Sequence, residues 1–298
     1  MSKSLSLFSA FLCTFIWGTT FIAQDTGMDY IGPLTFNSAR FFIGFLTIIP
    51  LALVFEKGKI KKEISSNSKL FYQYLFWIGL FLFLGTFLQQ AALLYTNIAN
   101  AAFFTIFYVP MVPLILFFFY SQKPHWSILP SITLCIIGVY LLSDFSSSQI
   151  VKGDTMVLMC AFFWSLHIIF IGRFIKVFNL PLFFGALQAL VVAVLSFTFA
   201  LIFENFSISK ILLESVEIIY AGVLSGGIAF TLQIYAQKNI LEAPAAIIFS
   251  LEGVFAAVAG WLILDQILKL NNIAGCIIIL TAVIISQIAP LINKSDPK

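Results

Sequence analysis

Apolar positions along this 298-residue chain gather into ten long runs, separated by short polar stretches that hold most of the charge. The runs lie near residues 5–23, 34–54, 72–94, 100–120, 127–143, 154–172, 180–203, 216–236, 243–264 and 272–290. Crossing a bilayer core takes about 20 apolar residues per helix, so the pattern predicts ten transmembrane helices with no room for an extramembrane domain. The first run is longer than a signal-peptide core and lacks a small-residue cleavage motif, so it is expected to remain as a span.

The pattern also repeats. Cys13-Thr14-Phe15-Ile16-Trp17 in the first run matches Cys160-Ala161-Phe162-Phe163-Trp164 in the sixth, and Pro33-Leu34-x-Phe36 opening the second matches Pro181-Leu182-x-Phe184 opening the seventh. Leu88-Gln89 matches Leu232-Gln233, and Ala99-x-Ala101-Ala102 matches Ala243-x-Ala245-Ala246. The expected domains are therefore residues 1–143 and 154–298, five helices each, joined by the Ser-rich linker 144–153. Five is odd, so the second copy enters the membrane inverted, an architecture of transporters whose substrate site lies near the midplane between the copies. The predicted fold class is an all-α integral membrane protein with ten transmembrane helices as two inverted five-helix repeats.

Composition agrees: 61% of residues are hydrophobic, 10% are charged and the mean hydropathy is +1.04. Twelve of the sixteen Lys and Arg residues fall at the N-terminus, at the C-terminus and in the loops on that face; the opposite face holds Lys152, Lys210 and Lys269. The positive-inside rule then puts both termini in the cytoplasm. Loop placement accounts for the net charge of +3 without a nucleic-acid partner. Cys13, Cys135, Cys160 and Cys276 sit inside apolar runs without metal-ligand spacing and read as packing residues, so no metal and no cofactor is expected.

A few polar residues lie deep in the runs. Glu252 falls about ten residues into the ninth helix, close to the midplane at 1.5 Å per residue. A charge there costs roughly 2.5 to 3.5 kcal/mol on insertion scales. It can serve as a proton carrier, a ligand for a substrate amine or half of an ion pair; its repeat mate is Tyr108. Arg40, the sixteenth cation, lies within the second run and can meet a substrate carboxylate, pair with Asp25 or Glu252, or hydrogen-bond to carbonyls. His167 projects with Trp164 from one face of the sixth helix, as a hydrogen-bonded interior residue or a proton relay. Trp17 and Trp164 can stack on a substrate or pack helices. Gln89, Gln90, Gln188 and Gln233 need partners that hydrocarbon does not offer, so they should face the interior. Gly222-x-x-x-Gly226 and Ala256-x-x-x-Gly260 mark close helix packing. Pro110 and Pro113 mark a bend in the fourth helix, and Asp265 an outer helix end. The spans lack the cluster of Lys and Arg that a phosphate-bearing cargo calls for.

Trp17-Gly18-x-x-Phe21, Ala39-Arg40-Phe41, Glu252-x-x-Phe255-Ala256-Ala257 running into Gly260-Trp261-Leu262-x-Leu264, and Gly275 resemble the EamA-like branch of the drug/metabolite transporter superfamily over essentially the whole chain. The resemblance implies ten helices in two EamA-type repeats, cytoplasmic termini in a bacterial inner membrane, and alternating-access movement of a small metabolite. The expected cargo is amino-acid-like or vitamin-like, neutral or weakly charged, with proton coupling left open, as is the choice between monomer and homodimer. The competing readings are a non-transporting scaffold or channel-like subunit and, without a nucleophile–base or metal grouping, a membrane enzyme. Where the family carries Glu-Pro on the ninth helix this chain has Glu252-Gly253, which predicts a straighter helix.

The orientation is testable: a fluorescent protein fused after Lys298 should fluoresce, and alkaline phosphatase fused at the same point should be inactive. The reverse pattern would place the termini outside.

Overall fold

The computed structural model describes every residue except 1, 97, 143–151, 264–266, 268 and 293–298. Asp265 and Leu264 therefore lie outside the described residues, as does most of the predicted linker; Lys152 and Gly153, assigned to it, begin a helix instead.

Among the described residues the chain is helical, with nine helical spans long and apolar enough to cross a membrane and one shorter apolar helix. The first three spans are α1 (Lys3–Thr26), α2 (Pro33–Phe55) and α4 (Ser68–Ala92). The fourth is divided into α5 (Ile98–Thr105) and α6 (Tyr108–Tyr120), and the fifth is the short α7 (Ile128–Leu142). The sixth and seventh are α8 (Lys152–Val177) and α9 (Pro181–Phe203). The eighth runs through α11 (Ser215–Tyr220), a π-helical segment (Ala221–Ala229) and α12 (Phe230–Ala236); the ninth is divided into α13 (Glu242–Phe249) and α14 (Leu251–Ile263); the tenth is α15 (Leu270–Ile292). Two short helices with no buried residues, α3 (Lys57–Ser66) and α10 (Ile208–Leu213), fill connections that the hydropathy pattern leaves as loops.

Packing follows the sequence repeat. The second span lies against the seventh, and the fifth against the tenth. The third packs on the sixth as the eighth packs on the first, and the first on the ninth as the sixth packs on the fourth. Exchanging each helix with its mate five places along maps these main contacts onto one another, so the halves interlock across an approximate two-fold axis.

The pair α2 and α9 shows how tightly. Proline opens both helices, and each leaves its first amides without a side-chain cap from its own N-cap residue. Orphan N–H groups at a helix start need an acceptor, and each helix receives one from the other half of the chain. Glu204, just past the end of α9, accepts from Leu34 N and Thr35 N at 2.8 Å each and from Thr35 Oγ1 at 2.7 Å. Glu56, just past the end of α2, accepts from Leu182 N at 3.1 Å and Phe183 N at 2.8 Å. Pro33 to Pro181 and Glu56 to Glu204 are both steps of 148 residues, so the clamps are repeat mates. Each sits at the partner's N-terminus, which fixes the two helices antiparallel. Gly32 leaves room for one of them, because a Cβ there would run into the Glu204 carboxylate and push it off its amides. Burial pushes the Glu56 carboxyl above its usual range, and the two amides, Lys238 and Lys59 pull it back.

Removing either carboxylate should cost about 1.5–3 kcal/mol, the range for hydrogen bonds to a charged group. Glu204→Ala and Glu56→Ala are expected to lower the melting temperature of the purified protein separately and additively, since the sites lie at opposite ends of the pair. Unchanged melting in both variants would show that the clamps contribute nothing.

Candidate functional site

Two spans are interrupted, at the same place in the repeat. The fourth breaks at Ile106 and Phe107, between Thr105 and Tyr108; the ninth breaks at Ser250, between Phe249 and Leu251. A shift of 144 residues carries Thr105 onto Phe249 and Tyr108 onto Glu252. The straighter ninth helix expected from Gly253 is thus not what forms. Ser250 breaks it instead: its hydroxyl turns back onto Ile247 O at 2.7 Å, and Gly253 N bonds Ser250 O in a tight three-residue turn. Such side-chain competition for backbone carbonyls loosens a helix without proline. Gly253 has another use, since a Cβ there would press on Ile106, the break residue of the mate span. Beside this break Gly18 brings α1 against the backbone of Glu252 and Ala256, where any larger residue would collide.

Between the breaks the mates meet. Tyr108 Oη donates to Glu252 Oε1 at 3.3 Å, both side chains being buried. The pair forms part of the wall of a narrow cavity of about 30 Å³, room for little more than a water molecule. Seven spans supply that wall; the fifth, seventh and tenth stay behind it. One side is aromatic. The Trp17 ring lies 6.1 Å from Trp164, 5.2 Å from Phe230 and 5.6 Å from Phe249, and Trp164 stacks on Phe230 at an interplanar angle of 5°.

The predicted residues divide into two groups. Glu252, Tyr108, Trp17, Trp164, Gln89, Gln233 and Arg40 line the cavity together. His167 and Gln188 do not; they stand behind Gln233. His167 accepts at Nδ1 from Gln233 Nε2 (3.4 Å) and donates from Nε2 to Gln188 Oε1 (3.1 Å), a tautomer assigned from the hydrogen-bond network. Gln237 extends the chain to Ile168 O at 2.8 Å. The imidazole therefore holds a wall amide in place. Gln90 also stays out of the cavity, bonding the α1 backbone at Gln24 O. Gln89 donates to Thr105 Oγ1 at 3.1 Å, tying the third span to the rim of the fourth-span break.

For Arg40, the ion-pair alternative does not form. It pairs with neither Asp25 nor Glu252: among the described residues the one ion pair joins Lys176 and Glu242 at 2.8 Å. The reason is geometric. Asp25 is exposed, the Glu252 carboxylate is engaged by Tyr108, and the guanidinium faces the cavity with the rings of Phe41 and Phe36 at 4.9 and 5.5 Å. Gly222 and Gly226 of the π-helical segment let the α2 backbone approach at Arg40 O, and Gly226 and Gly227 do the same at Gly44, bearing out the close packing expected of that motif. π-Helical turns recur at functional sites, and this one brings Ser225 to the cavity wall.

Sequence reasoning missed Phe230, Phe249, Ser225 and Thr86. Nothing distinguishes the two rings among 35 phenylalanines; Ser225, polar within a glycine-rich run, carried a readable signal. No group of three or more His, Cys, Asp or Glu able to hold a metal exists among the described residues, and the four cysteines are free thiols.

The profile of the EamA-like transporter family matches the chain twice, over residues 4–144 and 151–287. An uncharacterized transporter of Archaeoglobus fulgidus is 32% identical over 277 residues, covering 92% of this chain and 83% of that one. YoaV, an uncharacterized transporter of Bacillus subtilis, is 24% identical over 276 residues, 89% of this chain and 91% of its own. A crystal structure with 17% sequence identity superposes with a TM-score of 0.79 over 99% of this chain and all of that one, a likeness of fold.

His167→Leu should leave Gln188 and Gln233 without their shared partner, at a cost of about 1–3 kcal/mol. The expected readout is a lower melting temperature of the purified protein; an unchanged one would show that the amide–imidazole chain carries no stability.

Proposed function

The chain belongs to the EamA-like transporter family, and from that premise we propose that it is a secondary transporter carrying a small organic metabolite across the membrane by alternating access. The hydrogen bond between the repeat mates Tyr108 and Glu252, inside a cavity bounded by two interrupted helices, is the observation that carries this reading. Discontinuous helices meeting at the midplane form the substrate and coupling sites of inverted-repeat transporters. A carboxylate at that depth is stable only with a partner, a water-filled cavity or a proton, so its state can differ between the two orientations of the site. Glu252 is the coupling residue: it exchanges Tyr108, a proton or a substrate amine as access alternates.

The moving units are the halves 1–143 and 154–298, with 144–153 between them, in a bacterial inner membrane with cytoplasmic termini. A second opening of about 700 Å³ on the N-terminal face, bordered by Lys123, His125 and Glu242, lies along α13 from the central cavity and supplies a vestibule on that side. The cargo is a compact metabolite of the amino-acid or vitamin-like kind. The aromatic wall suits a planar or aliphatic body, and the scarcity of cations disfavours phosphate esters.

In proteoliposomes carrying a pH gradient, Glu252→Gln is expected to abolish gradient-driven accumulation of a transported amino acid while leaving exchange across the membrane. Full, pH-dependent accumulation by the variant would remove Glu252 from coupling.

A further inference from the structure

Arg40 is 2% exposed, and a guanidinium keeps its charge under ordinary conditions. Burying an unpaired charge costs several kcal/mol even after relaxation, and Phe36 and Phe41 return only part of that as cation–π attraction. Its Nε has no hydrogen-bond partner, and no carboxylate lies within ion-pair distance of the guanidinium among the described residues. Two more donors in the same wall are equally unmatched, the buried indole N–H groups of Trp17 and Trp164. Folding thus leaves one cation and two neutral donors on a cavity wall whose own acceptors, the Glu252 carboxylate and Oε1 of Gln233, do not reach them.

We propose that Arg40 anchors a carboxylate of the transported molecule, which makes the cargo a small organic carboxylate whose apolar body lies against Trp17, Trp164, Phe230 and Phe249 once these touching rings part to enlarge the cavity. The inference rests on the transporter reading of this cavity and narrows its substrate class. A planar guanidinium fits a carboxylate by two parallel hydrogen bonds. A phosphate dianion would bring twice the charge to a single cation, with Glu252 repelling it from the same wall. That carboxylate and the unmatched Oε1 of Gln233 are acceptors, so an α-ammonium group on the cargo would also find a place. Arg40 is a specificity-determining residue in this scheme, and Glu252 need not change for it to act.

The test compares binding of 3-phenylpropionate, 3-phenyl-1-propanol, L-phenylalanine and chloride to the purified protein in nanodiscs by calorimetry. The expected result is that 3-phenylpropionate binds the wild type roughly 10- to 100-fold more tightly than the alcohol, the factor a charge-assisted hydrogen bond supplies. Arg40→Met should erase the difference, and Arg40→Lys should keep part of it. Equal binding of acid and alcohol, no binding of either carboxylate, or a preference that survives in Arg40→Met would each overturn the proposal. So would displacement of the acid by chloride at equal concentration, which would make Arg40 an inorganic-anion site. If Arg40→Met fails to fold, the wild-type comparison and Arg40→Lys decide the matter. Flux of a bound probe is measured separately: binding that depends on Arg40 without flux would sink the transporter reading and leave the carboxylate anchor standing.

Discussion

A helix inside a bilayer can be broken only where its freed backbone groups meet protein or water, and this chain breaks two helices at equivalent positions and turns the breaks toward each other. The rest of the interior follows from that arrangement. Gly18 lets α1 close on the backbone beside one break, Gly253 makes room for the residue at the other, and Thr105 at the rim of the fourth-span break receives Gln89. Tyr108 and Glu252 then meet because each is the first polar residue after its own interruption. The cavity is what remains where two helices cannot run straight past one another.

Around it, polar groups on the wall and behind it are engaged differently. Those one layer back are tied to one another, as in the chain from Gln188 through His167 and Gln233 to Gln237 and the Ile168 carbonyl. Those on the wall keep unused capacity: Arg40, the indole nitrogens of Trp17 and Trp164, and Oε1 of Gln233. Buried polar atoms in a finished core are nearly all matched; others are unmatched elsewhere in this interior, Nε2 of Gln188 and the amide of Asn37 among them, and what sets the wall apart is that four such groups border one cavity. Hydrogen bonds from behind, such as that between His167 and Gln233, hold a ligand's partners in place before the ligand arrives.

Much of this was legible in the residues. Ten apolar runs and the Pro-Leu-x-Phe and Cys-x-x-x-Trp repeats carry the fold, and repeat alignment pairs Tyr108 with Glu252 before any distance is known. Other features were hidden for definite reasons. Ser250 interrupts the ninth helix through its hydroxyl and a local turn, whereas the sequence signal sought was a proline. Phe230 and Phe249 belong to a composition so rich in phenylalanine that a cavity ring and a lipid-facing ring look alike. Arg40 was visible as a deep cation, but its lack of a partner is a matter of where neighbouring carboxylates point. Glu56 and Glu204 follow the ends of apolar runs, and nothing local reveals that each belongs to a helix more than a hundred residues away.

Those two carboxylates also bear on how the chain is made. When the first five helices have left the ribosome, the amides of Leu34 and Thr35 still await an acceptor that is encoded only after the seventh. The amino-terminal half is therefore unfinished until its inverted counterpart has been synthesised and turned into place. A five-helix half inserted alone would carry the donor and the acceptor of the clamp at opposite membrane faces, out of reach of each other. Only a second copy in the reverse orientation could complete it, so the duplicated gene encodes in one polypeptide what two oppositely inserted molecules would otherwise have to assemble by collision.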